Sequence, residues 1–128
     1  MTHDRQRIPL DSLALLGGAF AAGVARRLAS LPGLRVIPPE RSQAMEDGDA
    51  SPEETGRALH VTCVGVCSLK EADAGLDLRV ELIDTLAERL VAEERFLAAV
   101  SETAVLERQA ARWIMQELLG PFTSNSHR

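Results

Sequence analysis

The sequence predicts a single α/β (α+β) domain, in which extended strands form a sheet and helices pack on it. Three observations indicate this class. Residues 76–82, LDLRVEL, alternate strictly between apolar and charged side chains, as a strand with one buried face does. Residues 61–66 carry three valines and one threonine, which favour strand over helix. Residues 105–118 place apolar side chains along one stripe of an amphipathic helix.

The first regular element is predicted to be a helix that begins at Asp11 or Ser12 and ends near Leu31, before a Pro-Gly pair. Its apolar side chains recur every four residues, at Leu16, Phe20, Val24 and Leu28. Residues 1–7 are polar and are predicted to be a disordered leader, and residues 8–10 are too short to assign. The domain itself is predicted to span residues 8–120, followed by a disordered tail at 121–128.

The apolar run at residues 13–25 has two interpretations. It is too short to span a bilayer, which takes about 20 residues, so no membrane insertion is predicted. It has the length of a signal-peptide core, with arginines before it and small residues at its end, which would make the protein periplasmic after loss of residues 1–25. Acidic residues in the leader and a proline just before the run oppose that interpretation, and the sequence therefore favours a cytoplasmic protein.

The middle of the chain is predicted to hold a short strand, a loop and a short helix. Leu34–Ile37 is the strand, and residues 40–50, ERSQAMEDGDA, are predicted to form a loop. Ser51 followed by Pro-Glu-Glu is the start signal of a helix that ends near Leu59, with serine as the N-cap and a glutamate positioned for a capping box.

Both cysteines of the chain, Cys63 and Cys67, lie in the stretch HVTCVGVCSLK. In a strand their side chains point to the same face but stand about 13 Å apart, whereas a disulfide needs Cα atoms within about 7 Å. The nearest histidine, His60, is expected on the opposite face, which opposes a metal site. The two thiols are therefore predicted to be small core side chains, with no metal and no cofactor.

The second half begins with the strand at residues 76–82 and ends with a helix that Ser101 caps and that Gly120-Pro121 terminates. Residues 89–96 between them are ambiguous. No glycine or proline interrupts residues 83–119, so helix propensity alone favours a continuous helix, whereas a hairpin partner for the preceding strand is the alternative.

The order of these segments resembles the TolB amino-terminal-like domain, which bacteria attach to adenylate cyclases, transcriptional regulators and tetratricopeptide proteins. The resemblance rests on LASLPGLRVIPPERS, EETGRALHVTCVGVCSL and GLDLRVELIDTLAERLVAEERF, within about residues 10–119. It implies a mixed sheet with two main helices on one face, a strand at residues 89–96, and a shortened first strand near residues 7–10. A truncated first strand would leave a central edge of the sheet bare.

The function that this resemblance implies is a non-catalytic protein-interaction or regulatory module. A bare edge favours a protein partner or a homodimer. Candidate interaction residues are Asp77, Arg79 and Glu81, on the solvent side of the alternating strand. The alternative is a small-ligand sensor with a pocket between sheet and helices, lined by Cys63, Cys67 and Trp113.

Other function classes are disfavoured by composition. The net charge is −5 and only four aromatic residues occur, so neither a phosphate-binding surface nor a base-stacking platform is predicted. No nucleophile lies near a general base in any recognisable pattern, and adjacent carboxylates in a strand point to opposite faces. The sequence therefore predicts no enzyme, no catalytic residue and no nucleic-acid partner.

Overall fold

The computed structural model describes residues 10–46, 48–73 and 75–119, and the predicted leader and tail lie outside these ranges. The described chain contains five strands and four helices. In chain order they are β1 (Ser12–Leu16), α1 (Gly18–Leu28), β2 (Arg35–Val36), α2 (Pro39–Glu46), α3 (Pro52–Ala58), β3 (Cys63–Ala72), β4 (Gly75–Asp84), β5 (Arg89–Ala98) and α4 (Thr103–Leu119).

The strands form one mixed sheet in the order β2-β1-β3-β4-β5. Strand β1 runs parallel to both of its neighbours, whereas β3, β4 and β5 follow one another as antiparallel hairpins. The predicted α+β class with a mixed sheet is confirmed. The strand assignment of residues 89–96, which local propensity opposed, is also confirmed, because this segment pairs with β4 along its length.

The first strand of the described chain lies at Ser12–Leu16, so the predicted helix from Asp11 or Ser12 is wrong in its first half. Of the shortened strand predicted near residues 7–10, residues 7–9 lie outside the described residues. All five residues of β1 are buried, because its two faces both lie inside the protein. A strand buried on both faces has a continuous apolar run, which matches a helix stripe equally well. Helix α1 starts at Gly18, directly after its N-cap Gly17, and the φ angles of 138° and 66° at these two positions favour glycine.

The prediction of a bare central edge is also wrong, because β1 is hydrogen-bonded on both sides. At its start the Ser12 hydroxyl accepts a 2.8 Å hydrogen bond from the backbone N–H of Thr62, which adds to the pairing with β3. The two outer strands of the described sheet are β2, with two residues, and β5, with ten. Cleavage after Ala25 would remove β1 and most of α1, and with them the centre of the sheet.

The two long helices cover one face of the sheet, as predicted. Helix α4 packs against α1 and over β4 and β5, on the face that carries Leu13, Leu15 and Leu78. The short helices α2 and α3 cover the other face at the β1 end, around Ala14 and Val64. Among the described residues, no helix is both long and apolar enough to cross a bilayer.

The connection before β3 contains one more helix than predicted. Residues 39–46, most of which fall in the predicted loop 40–50, form helix α2. The side chain of Ser42 in this helix is fully buried. Helix α3 has the predicted capping box: Glu54 N–H donates to the Ser51 hydroxyl at 3.1 Å, and Ser51 N–H donates to the Glu54 carboxylate at 2.9 Å. Helix α4 begins at Thr103, so the residue before its first turn is Glu102 and not the predicted cap Ser101.

Gly56 lets α3 lie directly on the sheet. A Cβ built on it would lie against the Cγ2 atom of Thr85 and 2.6 Å from that of Val64, and both neighbours are buried β-branched residues. β-branched side chains are restricted at χ1, and the Thr85 hydroxyl also donates a hydrogen bond to the Val61 carbonyl, so these neighbours have little freedom to make room.

We therefore expect Gly56→Ala to lower the free energy of unfolding by about 1–3 kcal/mol through overpacking. Helix propensity alone predicts the opposite sign, a gain of about 1 kcal/mol. Urea unfolding followed by circular dichroism distinguishes the two results, and a stabilised variant would contradict the close packing of α3 on the sheet.

Candidate interaction surface on strand β5

Strand β5 forms the long outer edge of the sheet and exposes several apolar side chains. Leu97 is 72% exposed, Leu90 48% and Val91 40%. Within the described chain, only β4 pairs with β5, so the alternate backbone groups of this ten-residue strand that point away from β4 have no partner strand. An exposed strand edge with apolar side chains is a template on which another strand adds.

The predicted interaction residues Asp77, Arg79 and Glu81 lie on the neighbouring strand β4, on the face away from α1 and α4. Two of them make ion pairs with β5. Arg95 binds both Asp77 carboxylate oxygens, at 3.3 and 2.5 Å, and Arg79 lies 3.7 Å from Glu93.

Asp77 and Arg79 therefore bind side chains of β5 within the same chain. The hydrogen bond from Arg95 lowers the pKa of Asp77, so this pair stays charged over the ordinary pH range. Glu81 lies directly opposite Glu93 and has no ion-pair partner among the described residues. Their role as interaction residues stays a prediction; the structure places them on β4, the strand next to the free edge.

An open groove of about 450 Å³ lies between β5 and the outward side of α4. Its apolar floor consists of Phe96 and Trp113, whose rings meet edge to face with centroids 6.3 Å apart. The groove is lined by Glu94, Phe96, Val105, Arg108, Gln109, Arg112, Trp113 and Gln116. Arg108 and Arg112 lie one helical turn apart and make no ion pair in the part of the chain that the structure describes.

The cysteines do not take part in this groove. Cys63 and Cys67 face α1 and α4 from inside the core, where they are 0% and 5% exposed. They therefore occupy the predicted core positions, and the sensor pocket predicted around both cysteines and Trp113 is not the cavity that Trp113 lines. Burial raises the pKa of each thiol from 9.0 to about 12, so neither is a thiolate at neutral pH.

The N-terminus of α1, a position where many α/β proteins bind anions, is occupied by the protein's own carboxylate. The backbone N–H groups of Gly17 and Gly18 donate to the two oxygens of Glu46, at 2.9 and 3.4 Å. No group of three metal-ligating side chains occurs among the described residues. His60 is exposed in the turn before β3, with φ at 60°, and not within a strand as predicted.

Sequence reasoning missed the groove and the free edge. Arg108, Arg112 and Gln116 recur at helical spacing on the outer side of α4, and this spacing is visible in the sequence. The other wall of the groove, strand β5, is predicted only from the family resemblance. The exposed apolar residues of β5 gave no signal, because isolated surface leucines and valines are common.

Comparison with known proteins supports the fold alone. No family model and no curated protein matches this chain. Among solved structures, TolB from Acinetobacter baumannii is similar, with a TM-score of 0.67 and 14% identity over 89% of this chain and 29% of that one. The chain thus spans less than a third of the TolB chain.

Two smaller proteins match over most of their own length. The C-terminal domain of LpoB from Salmonella enterica has a TM-score of 0.53 and 13% identity, over 73% of this chain and 85% of that one. A PelC dodecamer from Paraburkholderia phytofirmans has a TM-score of 0.55 and 15% identity, over 87% and 90%. The fold is therefore TolB-like, as the sequence resemblance implied.

The buried thiols generate a pH prediction. Because the unfolded thiols ionise near their ordinary pKa and the buried ones stay protonated, their contribution to stability is complete below about pH 9 and is lost as pH rises toward about 12. Each thiol lowers the free energy of unfolding by up to about 1.4 kcal/mol per pH unit in that window. The chain contains no tyrosine that would titrate in the same range.

Urea unfolding at about pH 8 and about pH 10.5 measures this loss. The double variant Cys63→Ala/Cys67→Ala is the control and should lose less stability between the two pH values than the wild type. Equal losses in both proteins would show that the thiols are not buried as described.

Proposed function

We propose that this chain is a non-catalytic interaction module that binds a second copy of itself through the free edge of β5. The observation that carries the proposal is the ten-residue edge strand, which exposes Leu90, Val91 and Leu97 and has no covering element among the described residues. Pairing of two such edges extends the sheet across the contact and removes these side chains from water.

The ion pairs across β4 and β5 support the same proposal. Arg95 with Asp77, and Arg79 with Glu93, hold the outer strand in register against the sheet. A strand that is fixed in an extended conformation before binding loses little conformational entropy when a partner strand is added. The edge is therefore prepared for pairing and does not need to fold on binding.

The similar structures give this proposal its context. The PelC protein of similar fold is a dodecamer, so a domain of this shape does assemble with copies of itself. No catalytic role is proposed, because the described part of the chain combines exposed His60 and protonated, buried thiols with no paired acid and base around the groove.

The sensor alternative has one favourable observation, the groove of about 450 Å³ with an aromatic floor. The groove is open to solvent along β5 and α4, and its rim carries charged and amide side chains. A site for a small ligand usually encloses most of the ligand surface. The open shape favours a polypeptide segment that continues past both ends.

We expect Leu97→Glu to weaken self-association about ten-fold or more, because it removes the most exposed apolar side chain of β5 and places a like charge in the contact. Light scattering over a range of concentrations measures the change. Leu86→Glu is the matched control, since Leu86 is 59% exposed but lies in the turn before β5, and it should associate like the wild type.

Urea unfolding of both variants verifies that each remains folded. A wild-type chain that stays monomeric at every concentration, or a Leu97→Glu variant that associates as strongly as the wild type, would contradict the proposal.

A further inference from the structure

We infer that the groove between β5 and α4 is part of the same contact and receives Glu94 and Phe96 from the second copy. This inference rests on the proposed pairing of β5 edges and adds a specific set of side chains to it. Three features of the structure point to these two residues: the charge of the groove, the symmetry of the pairing, and the side chains that β5 carries on its helix-facing side.

The groove has charges that lack partners within one copy. Arg108 and Arg112 line it from α4, and Glu94 lines it from β5, yet none of the three makes an ion pair in the described chain. Two arginines against one carboxylate leave the groove with an excess of positive charge. Planar guanidinium groups bind carboxylates with two parallel hydrogen bonds, so this rim favours an acidic side chain from the second copy.

Symmetry restricts which side chains reach the groove. Two identical edge strands that pair antiparallel are related by a two-fold axis perpendicular to the sheet. This axis keeps the faces that carry α1 and α4 in both copies on the same side. The side chains that enter one copy's groove are therefore those that face α4 in the other copy. In β5 they are Ala92, Glu94, Phe96 and Ala98, which lie opposite the inward residues of β4.

Within this set, only Glu94 is charged and only Phe96 is large and apolar. The register that places Glu94 of each copy opposite Phe96 of the other gives the carboxylate access to Arg108 and Arg112, and it brings the second Phe96 ring toward Phe96 and Trp113. Residues that lie directly opposite in a sheet have Cβ atoms about 5 Å apart, and their diagonal neighbours remain within reach of aromatic side chains. The groove of each copy is thus complementary to strand β5 of the other copy.

The same register is acceptable on the other face of the sheet. It brings Arg95 opposite Arg95 of the second copy, but each of these side chains already binds Asp77 of its own chain. Leu97 of each copy then lies opposite Glu93 of the other, inside the contact. This agrees with the weaker association expected of Leu97→Glu.

A charge exchange tests the contact directly. We expect Glu94→Arg alone and the double variant Arg108→Glu/Arg112→Glu alone to associate about ten-fold more weakly than the wild type or worse, because each places like charges in both halves of the symmetric contact. In an equimolar mixture both halves carry opposite charges again, so the two variants should form a mixed dimer. Light scattering and sedimentation of the separate and mixed proteins measure this recovery.

Trp113 supplies an independent signal, because it is the only tryptophan of the chain and no tyrosine is present. Its emission should shift on dilution of the wild type and on mixing of the two variants. The control is Arg26→Glu, which makes one arginine-to-glutamate change at an exposed arginine of α1 without an ion pair in the described chain, and it should associate like the wild type.

The outcomes separate this inference from the proposed function. If Leu97→Glu dissociates the protein but mixing the charge variants restores nothing, β5 pairs with its copy and the groove does not take part. If each charge variant alone associates like the wild type, the inference fails in the same way. A wild-type chain that never associates overturns both.

Discussion

Insertion of β1 between β2 and β3 determines the rest of the architecture. Its five residues are buried on both faces, with Leu13 and Leu15 toward α1 and α4, and Ala14 and Leu16 toward α2 and α3, so one short segment joins the two cores. Because β1 is paired with β2 on one side and with β3 on the other, it has no unpaired edge. The long hairpin strands then extend outward, and β5 is left as the long edge that remains open.

The parts of the fold with strong local periodicity could be predicted from the sequence. The alternation at residues 76–82 and the capping signal at Ser51 each encode their structure locally, and both are found as predicted. Strand β1 could not be predicted, because a strand buried on both faces lacks alternation and its apolar run continues into the helix. Helix α2 has almost no apolar stripe, so its residues are predicted to form a loop. The sequence of strand β5 slightly favours a helix, and only the family resemblance predicts a strand there.

The predicted interaction residues Asp77, Arg79 and Glu81 lie on β4, beside the proposed contact strand β5, and their role in binding stays a prediction. The alternation of β4 places Asp77 and Arg79 on the polar side of a regular strand, and both contact the outer strand. What the sequence does not contain is the position of β5 at the edge, which follows from the pairing of all the other strands. The groove depends on tertiary structure in the same way, because Phe96 and Arg112 are far apart in the chain and meet only when α4 folds back over β5. Cytoplasmic localisation stays a prediction from the sequence.

Hydrogen exchange of the backbone amides at low and high protein concentration tests most directly whether the open edge of β5 is where this protein binds another copy. Amides on the outward side of β5 have no partner strand in one copy, and pairing would give them one. We predict that residues 89–98 exchange more slowly as concentration rises, with no change in the two residues of the opposite edge strand, β2. Exchange in β5 that is independent of concentration, or protection that arises elsewhere while the protein associates, would contradict this assignment.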